Sequence, residues 1–463
     1  MNGDLMAAFA LTEPGSGSDA MNIKTTAVLN AEGTHYVVNG AKQWITNAGW
    51  ADLFILFAKV DGTAFSAFLL ERDSPGLTIG DHEKLLGLDG SSVCAMQLDD
   101  VAIPVENVLG AVGKGHKVAM CTLNLGRMKM SANCAGTAKK ILATTTQYAT
   151  ERRQFGHPIA DFGLIQRKLA DMASRAYAAE SVAYRTSGLV YHALEDTDGM
   201  GPPTLDDKLN TLTEFSAECA MAKVFTSEAY NALADEALQV FGGYGFSEEY
   251  SPARMYRDSR ITRIYEGTNE ICRLYAQRAM LRRAWKGDLD FDSAIEALSA
   301  EAPNGGLEAL QHADSNWGFE PIASGIRDLK KIYFYLVQAV SEGIEKDRMF
   351  DADNQQYMAS LADVAIEIFG AESTYLRVAK HKLAGAPGSD LAEALARICF
   401  QRSVERIGSE ANEILSALAE HGDLRSHLDH ISKWLPLPAG LIETRAFVAR
   451  SVLDIGGLPA SMT

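Results

Sequence analysis

The sequence predicts a mostly helical α+β protein, and three observations carry that reading. Residues 1 to about 110 hold short β-branched and aromatic runs bounded by turn dipeptides. After Pro104 the pattern becomes helical, with no proline from Lys114 to Thr150. The order is strands, then helices, then more helices, which is not the alternation of a parallel α/β sheet and gives no support to a Rossmann domain. The expected architecture is an N-terminal β-barrel or sandwich domain over 1–110, a four-helix bundle over 111–288 and a second helical domain over 305–463.

In chain order, "THYVVNG", "DLFILFAKV", "AFSAFLLERD" and "SVCAMQLDDVAIP" read as strands, with Asn39-Gly40, Asp61-Gly62, "DSPG" and Asp89-Gly90 as turns. Helices are expected over 114–150, 162–194, 207–242 and from Gly267 to Trp285, with Gly242-Gly243 stopping the third. Four such helices make a bundle. "DGMGPPT" reads as a loop, "KGDLDFD" and "APNGG" as a linker near 286–306, residues 307–420 as further helices and the last forty residues as irregular.

Composition narrows the function. A chain of 463 residues, 47% of them hydrophobic, can bury a large core. A net charge of −17 argues against nucleic-acid binding, so an anionic ligand needs a local basic cluster. The six cysteines form no C-x-x-C pair and read as buried thiols of a reducing compartment, with no zinc or other metal expected. No apolar run nears the ~20 residues of a membrane span. No signal peptide is seen at Met1. A bacterial cytoplasm is the favoured location, or the mitochondrial matrix and inner-membrane face in a eukaryote.

Five stretches carry chemistry. "LTEPGSGSD" (11–19) reads by composition as an ordinary surface turn, the alternative being a cradle for a ring or phosphate. "NGAKQWITNAG" (39–49) places Trp44 and Thr46 on one strand face, where an indole covers a flat heterocycle or merely packs. "ERRQFG" (151–156) offers Arg152 and Arg153 to a phosphate, or closes a helix with cations. "QVFGGYGF" (239–246) presents backbone amides at a helix end, or simply ends it. "RITRIYEGTNEI" (260–271) sets Glu266 before Gly267, downstream of Arg254, Arg257, Arg260 and Arg263; Glu266 is either a base or part of a charged helix face.

Together these motifs resemble the acyl-CoA dehydrogenase family over residues 1 to about 285, and the helical tail is similar to its very-long-chain branch. The resemblance implies FAD as cofactor, acyl-CoA as substrate, a homodimer and an electron-transferring flavoprotein as electron acceptor. It implies that the segment Phe9, Leu11, Thr12, Gly17, Ser18 and the segment Trp44, Ile45, Thr46 contact the isoalloxazine. Arg152, Phe155, Gln239, Val240, Gly242 and Gly243 would bind the partner's FAD, and Thr268 and Asn269 would touch flavin. Ser18, Asn124, Arg127 and Gly267 would contact acyl-CoA, with Glu266 as the base. Branches that take the base from the first long helix use the position of Gly126, which has no side chain to serve.

The expected activity is α,β-dehydrogenation of long- or very-long-chain acyl-CoA to trans-2-enoyl-CoA in fatty-acid β-oxidation. The alternatives are an acyl-CoA oxidase reducing oxygen, and an inactive truncated homologue acting as an interaction partner. The family's N-terminal helical domain is expected to be absent, with Met1 either internal to a longer reading frame or a natural start. Peripheral membrane contact through Trp434, Leu435 and Leu437 is weighed against a buried packing role for them.

Overall fold

A computed structural model describes residues 3–195, 204–300, 320–419, 423–436 and 440–459. The chain divides into two compact units, Met1–Leu125 and Gly126–Thr463.

The first unit holds β1 (Ala7–Ala10), β2 (Thr26–Leu29), β3 (His35–Thr46), β4 (Leu53–Val60), β5 (Ala64–Glu71), β6 (Leu77–His82) and β7 (Val93–Pro104). They form one mixed sheet, a half-barrel, in the order β1-β4-β2-β3-β7-β6 with β5 on β4. The four runs expected as strands are β3, β4, β5 and β7; β1, β2 and β6 were too short or too polar to show. Alternation sets the buried face: Tyr36 and Val38 of β3, Phe54 and Leu56 of β4, and Met96, Leu98 and Val101 of β7 build one core. The β3–β7 ladder slips between Lys42 and Ile45, where β3 carries an extra residue and Trp44 has φ 59°. A bulge of this kind re-aims a side chain. It leaves Trp44 and Thr46 exposed while Ile45 stays buried.

The first long helix, α1 (Gly115–Glu151), contains the boundary between the units. The second unit continues with α2 (Gly163–Glu195), α3 (Leu205–Glu214), α4 (Ser216–Phe241), α5 (Gly243–Phe246), α6 (Ser251–Arg260) and α7 (Asn269–Lys286). Next come α8 (Phe291–Ala300), α9 (Glu320–Gly343), α10 (Gln355–Leu383), α11 (Ser389–Leu418), α12 (Leu424–Ser432) and α13 (Ile442–Ile455). Two short strands, β8 (Arg153–Gln154) and β9 (His157–Pro158), form a hairpin after α1. The helix expected over 207–242 is two helices, broken at Phe215 with ψ 22°. The last forty residues, expected to be irregular, include α12 and α13, and α13 packs on α2 through Val448, Ala449 and Val452. The 198–203 part of the expected loop and the "APNGG" linker lie outside the described residues.

Small residues decide how closely the helices approach. Ala170, Ala173 and Ala176 of α2 and Leu233, Ala234 and Ala237 of α4 share one core with α10 and α11 residues. A second core, of Leu329, Ile332 and Leu336 in α9 with Leu361 and Val364 in α10 and Ile407 in α11, also takes Trp434 and Leu435 against it. The Trp434 ring meets Tyr335 and His430 edge-on at 5.8 and 4.7 Å. These two side chains therefore pack, partly buried, against this core; Leu437 lies outside the described residues. No described helix is long and apolar enough to cross a membrane.

Candidate active site

Glu266 sits on a turn between the short helical segment Ile261–Arg263 and α7. Its φ is 59° and that of Gly267 is 86°. Two consecutive left-handed residues cannot belong to a right-handed helix, so α7 starts only at Asn269, with the Thr268 hydroxyl accepting from Ile271 N–H at 3.3 Å. The left-handed conformation costs a non-glycine residue about 1–2 kcal/mol, so the surrounding contacts must hold it.

They do so through the carbonyls. The Arg127 Nε donates to Glu266 O at 3.1 Å. The Lys223 Nζ donates to Gly267 O and to Asn269 Oδ1, both at 2.7 Å. The Asn269 Nδ2 donates to Ser227 Oγ at 3.1 Å and Glu228 Oε1 at 3.0 Å. Cys272 Sγ lies 3.5 Å from Gly267 O. Charge-assisted bonds of this kind are the stronger ones.

The Glu266 carboxylate lies over Gly126. A Cβ added there would fall 2.6 Å from Oε2 and 2.8 Å from Cδ. Burial raises the Glu266 pKa, against the pull of the Arg127 and Lys223 charges. The three nearest atoms at Gly126 belong to a flexible side-chain end, so Gly126→Ala is expected to fold normally but displace the carboxylate. Misplacing a reacting group by about 1 Å can cost about a hundredfold in rate. Rapid-reaction kinetics alongside a thermal melt will show a loss of activity without a loss of stability.

The other expected site residues fall into distinct settings. Thr268 is the helix cap. Asn124 and Arg127 are 2% and 3% exposed, and the Arg127 guanidinium lies over the Tyr275 ring at 4.9 Å. Asn269, expected to touch flavin, is wholly buried with its carboxamide taken by Lys223, Ser227 and Glu228. It offers no surface to a ligand and acts on the turn instead. Of the arginine stripe, Arg257 pairs with Glu248 at 3.2 Å, while Arg254 and Arg260 are exposed.

Arg152, Val240, Gly242 and Gly243 meet in a cleft of about 650 Å³, together with Tyr148, Tyr244 and Tyr250. Gln239, the neighbour of Val240, is exposed. The Arg152 guanidinium lies 5.3 Å from the Tyr244 ring centre, and Tyr148 stacks on Phe241 at 3.8 Å. Nearby in sequence, Phe155 and Gly156 form the two-residue tip of the β8–β9 hairpin, both with positive φ. Phe155 is 91% exposed.

In the first unit, the 11–18 loop is pinned to β3. Gln43 N–H donates to Thr12 O at 2.9 Å, and Lys42 Nζ donates to Leu11 O at 3.2 Å and Glu13 Oε1 at 2.7 Å. Burial opposes the Glu13 charge, but hydrogen bonds from Lys24 N–H, Lys42 and Thr25, with the Lys42 charge, hold its carboxyl below the ordinary value. This gathers Thr12, Gly17 and Ser18 with exposed Trp44 and Thr46 on the same unit, while Leu11 and Ile45 are buried and Phe9 packs edge-on to Phe57 at 5.0 Å. No side chain crowds Gly17.

Residues 8–101 match the acyl-CoA dehydrogenase middle domain, and residues 113–281 and 330–433 match two models of an acyl-CoA dehydrogenase C-terminal domain. A probable acyl-CoA dehydrogenase of Bacillus subtilis (strain 168) is 39% identical over 464 residues, covering 98% of this chain and 75% of the relative. The chain belongs to the acyl-CoA dehydrogenase family. Members of this family are oxidoreductases acting on CH–CH bonds. The human mitochondrial very long-chain specific acyl-CoA dehydrogenase is 41% identical over 312 residues, 65% of this chain and 44% of that protein. The crystal structure of acyl-CoA dehydrogenase complexed with FAD from Bacillus anthracis superposes with a TM-score of 0.91 at 38% identity, over 98% of this chain and 76% of that one. A chain of the electron transferring flavoprotein structure from Acidaminococcus fermentans matches with a TM-score of 0.53 at 38% identity, over 60% of this chain and 69% of that one.

Family motifs marked the exposed ends of these surfaces, not what lies under them. Glu13, Lys42 and Lys223 escaped the sequence reading. The signal was present: Lys42 and Lys223 are single cations in mostly apolar runs, "GAKQWI" and "CAMAKVF", and both are fully buried. A buried cation is retained only with partners.

Proposed function

We propose that this chain removes the α-proton and a β-hydride from a long- or very-long-chain acyl-CoA, giving the trans-2-enoyl-CoA, with Glu266 as the base. The observation that carries the reading is the Glu266 turn, a partly buried carboxyl on a backbone held by two cations. An α-proton of a thioester is weakly acidic, and a carboxyl raised by burial is the stronger base for it. Arg127 and Lys223 occupy the Glu266 and Gly267 carbonyls. Among the described residues no group accepts from the Glu266 N–H. That N–H is left to stabilise the negative charge that develops on the thioester oxygen. Gly267, with its own φ of 86°, allows the substrate to lie close to the main chain.

The residues fit FAD. Open space around Gly15 and Gly17 suits a close backbone approach, and Trp44 and Thr46 pair a flat face with a hydroxyl. The Arg152 cleft pairs one cation and backbone amides with tyrosine rings, which suits pyrophosphate and adenine. Phe9–Ser18 and Trp44–Thr46 would contact flavin, as would Thr268; Arg152, Phe155 and Gln239–Gly243 would hold the flavin of a dimer partner, which would cover the exposed Phe155 ring. Ser18, Asn124, Arg127 and Gly267 would bind acyl-CoA. FAD would supply the two-electron acceptor for the β-hydride, and an electron-transferring flavoprotein would take the electrons onward.

An anaerobic visible spectrum of the FAD-loaded chain before and after palmitoyl-CoA tests the reading. Bleaching is the expected result. Bound flavin that stays yellow with acyl-CoAs of every length would sink it, and oxygen uptake without an added acceptor would make the chain an oxidase.

A further inference from the structure

Resting on the reading of Glu266 as the base, we propose that Lys223 is its positioning residue: a buried ammonium on α4 that clamps the Gly267 carbonyl and the Asn269 side chain and so holds Glu266 in its left-handed turn.

Three observations lead there. First, Lys223 is 0% exposed, and among the described residues no carboxylate lies within ion-pair distance of it. Its two 2.7 Å bonds go to a backbone carbonyl and an amide oxygen, both within three residues of Glu266. An unpaired buried ammonium is costly, and an apolar side chain of similar volume would pack there at lower cost. Packing alone therefore does not account for a lysine. Second, the turn is strained at Glu266, and the two successive carbonyls of the turn, Glu266 O and Gly267 O, are the ones that Arg127 and Lys223 hold. Third, the titratable groups that act most on the ammonium are the Cys272 thiol of α7, Arg127 and the Cys134 thiol of α1, and Glu266 of the turn; Glu266 is the carboxylate among them. Burial lowers the Lys223 pKa to about 8, which leaves it mostly charged at neutral pH. Its charge opposes the rise that burial imposes on Glu266. Lys223 thus has two effects on the base, one on its position and one on its proton affinity.

The test compares Lys223→Met, which removes donor and charge, with Lys223→Gln, which keeps a donor without charge. Both are made in the full chain loaded with FAD, with flavin content and circular dichroism as checks on folding. One readout needs no substrate: pH titration of the carboxyl C=O infrared band that disappears in Glu266→Gln. The other is the pH profile of anaerobic flavin reduction by palmitoyl-CoA.

In both variants the infrared titration and the acid limb of the rate profile are expected to move to higher pH. Losing hydrogen bonds from a charged donor corresponds to about a tenfold to hundredfold loss in reduction rate for Lys223→Met. Lys223→Gln should recover part of that loss at alkaline pH while keeping the displaced titration. A band that titrates at the wild-type pH in both variants would overturn the proposal. If Lys223→Met does not fold, Lys223→Gln decides alone. Wild-type protein that palmitoyl-CoA never reduces would refute the proposed function, while a displaced band in Lys223→Gln would still uphold the clamp.

Discussion

Glu266→Gln will slow flavin reduction by palmitoyl-CoA by roughly 10²- to 10⁴-fold, the range a positioned general base contributes. The amide keeps the size of the side chain and its place above Gly126, where Oε2 approaches most closely. It cannot take a proton. Flavin content should therefore be unchanged, and the thermal midpoint unchanged or higher, because the variant removes a charge that burial disfavours. The wild-type rate should rise with pH through an apparent pKa above the ordinary carboxylate value, since only the ionised carboxyl accepts the proton. Stopped-flow absorbance at the flavin band across pH checks both points, and full activity in the variant would remove Glu266 from the mechanism.

Arg273→Leu will cost about 3–5 kcal/mol of unfolding free energy, the usual consequence of breaking a buried ion pair from one side. Arg273 of α7 is 9% exposed and donates to Glu228 of α4 and Asp363 of α10, both at 2.8 Å. Arg406 of α11 reaches the same group, at 3.2 Å to Asp363, 3.8 Å to Glu367 and 4.0 Å to Glu228. Without Arg273, three carboxylates share one guanidinium. Burial already raises the Asp363 pKa against the pull of Arg273 and Arg406, and losing Arg273 raises it further. A carboxyl whose folded pKa lies above its unfolded value binds protons more tightly when folded. The deficit therefore grows as pH rises through that folded value and shrinks in acid. Urea midpoints of wild type and variant at neutral and acidic pH measure it; equal midpoints at neutral pH would show that the network contributes little.

The sequence by itself determined the order of strands and helices, because alternation and helical period are local properties of the chain. It also determined the surfaces that carry glycine and aromatic residues, since "LTEPGSGSD", "WIT", "ERRQFG" and "YEGTN" are contiguous. It marked Glu266 and the following glycine. Only the tertiary structure decided which groups lie beneath them. Lys223 stands 43 residues before Glu266 and meets the turn only once α4 lies beside α7. Lys42 reaches Glu13 across 29 residues because the loop is hydrogen-bonded to β3 next to the bulge, through Gln43 N–H and Thr12 O. The family resemblance implied a flavin contact for Asn269, yet the left-handed turn that delays the start of α7 directs it inward. The break at Phe215 and the helices of the last forty residues likewise depend on packing partners distant in sequence, and local patterns do not encode them.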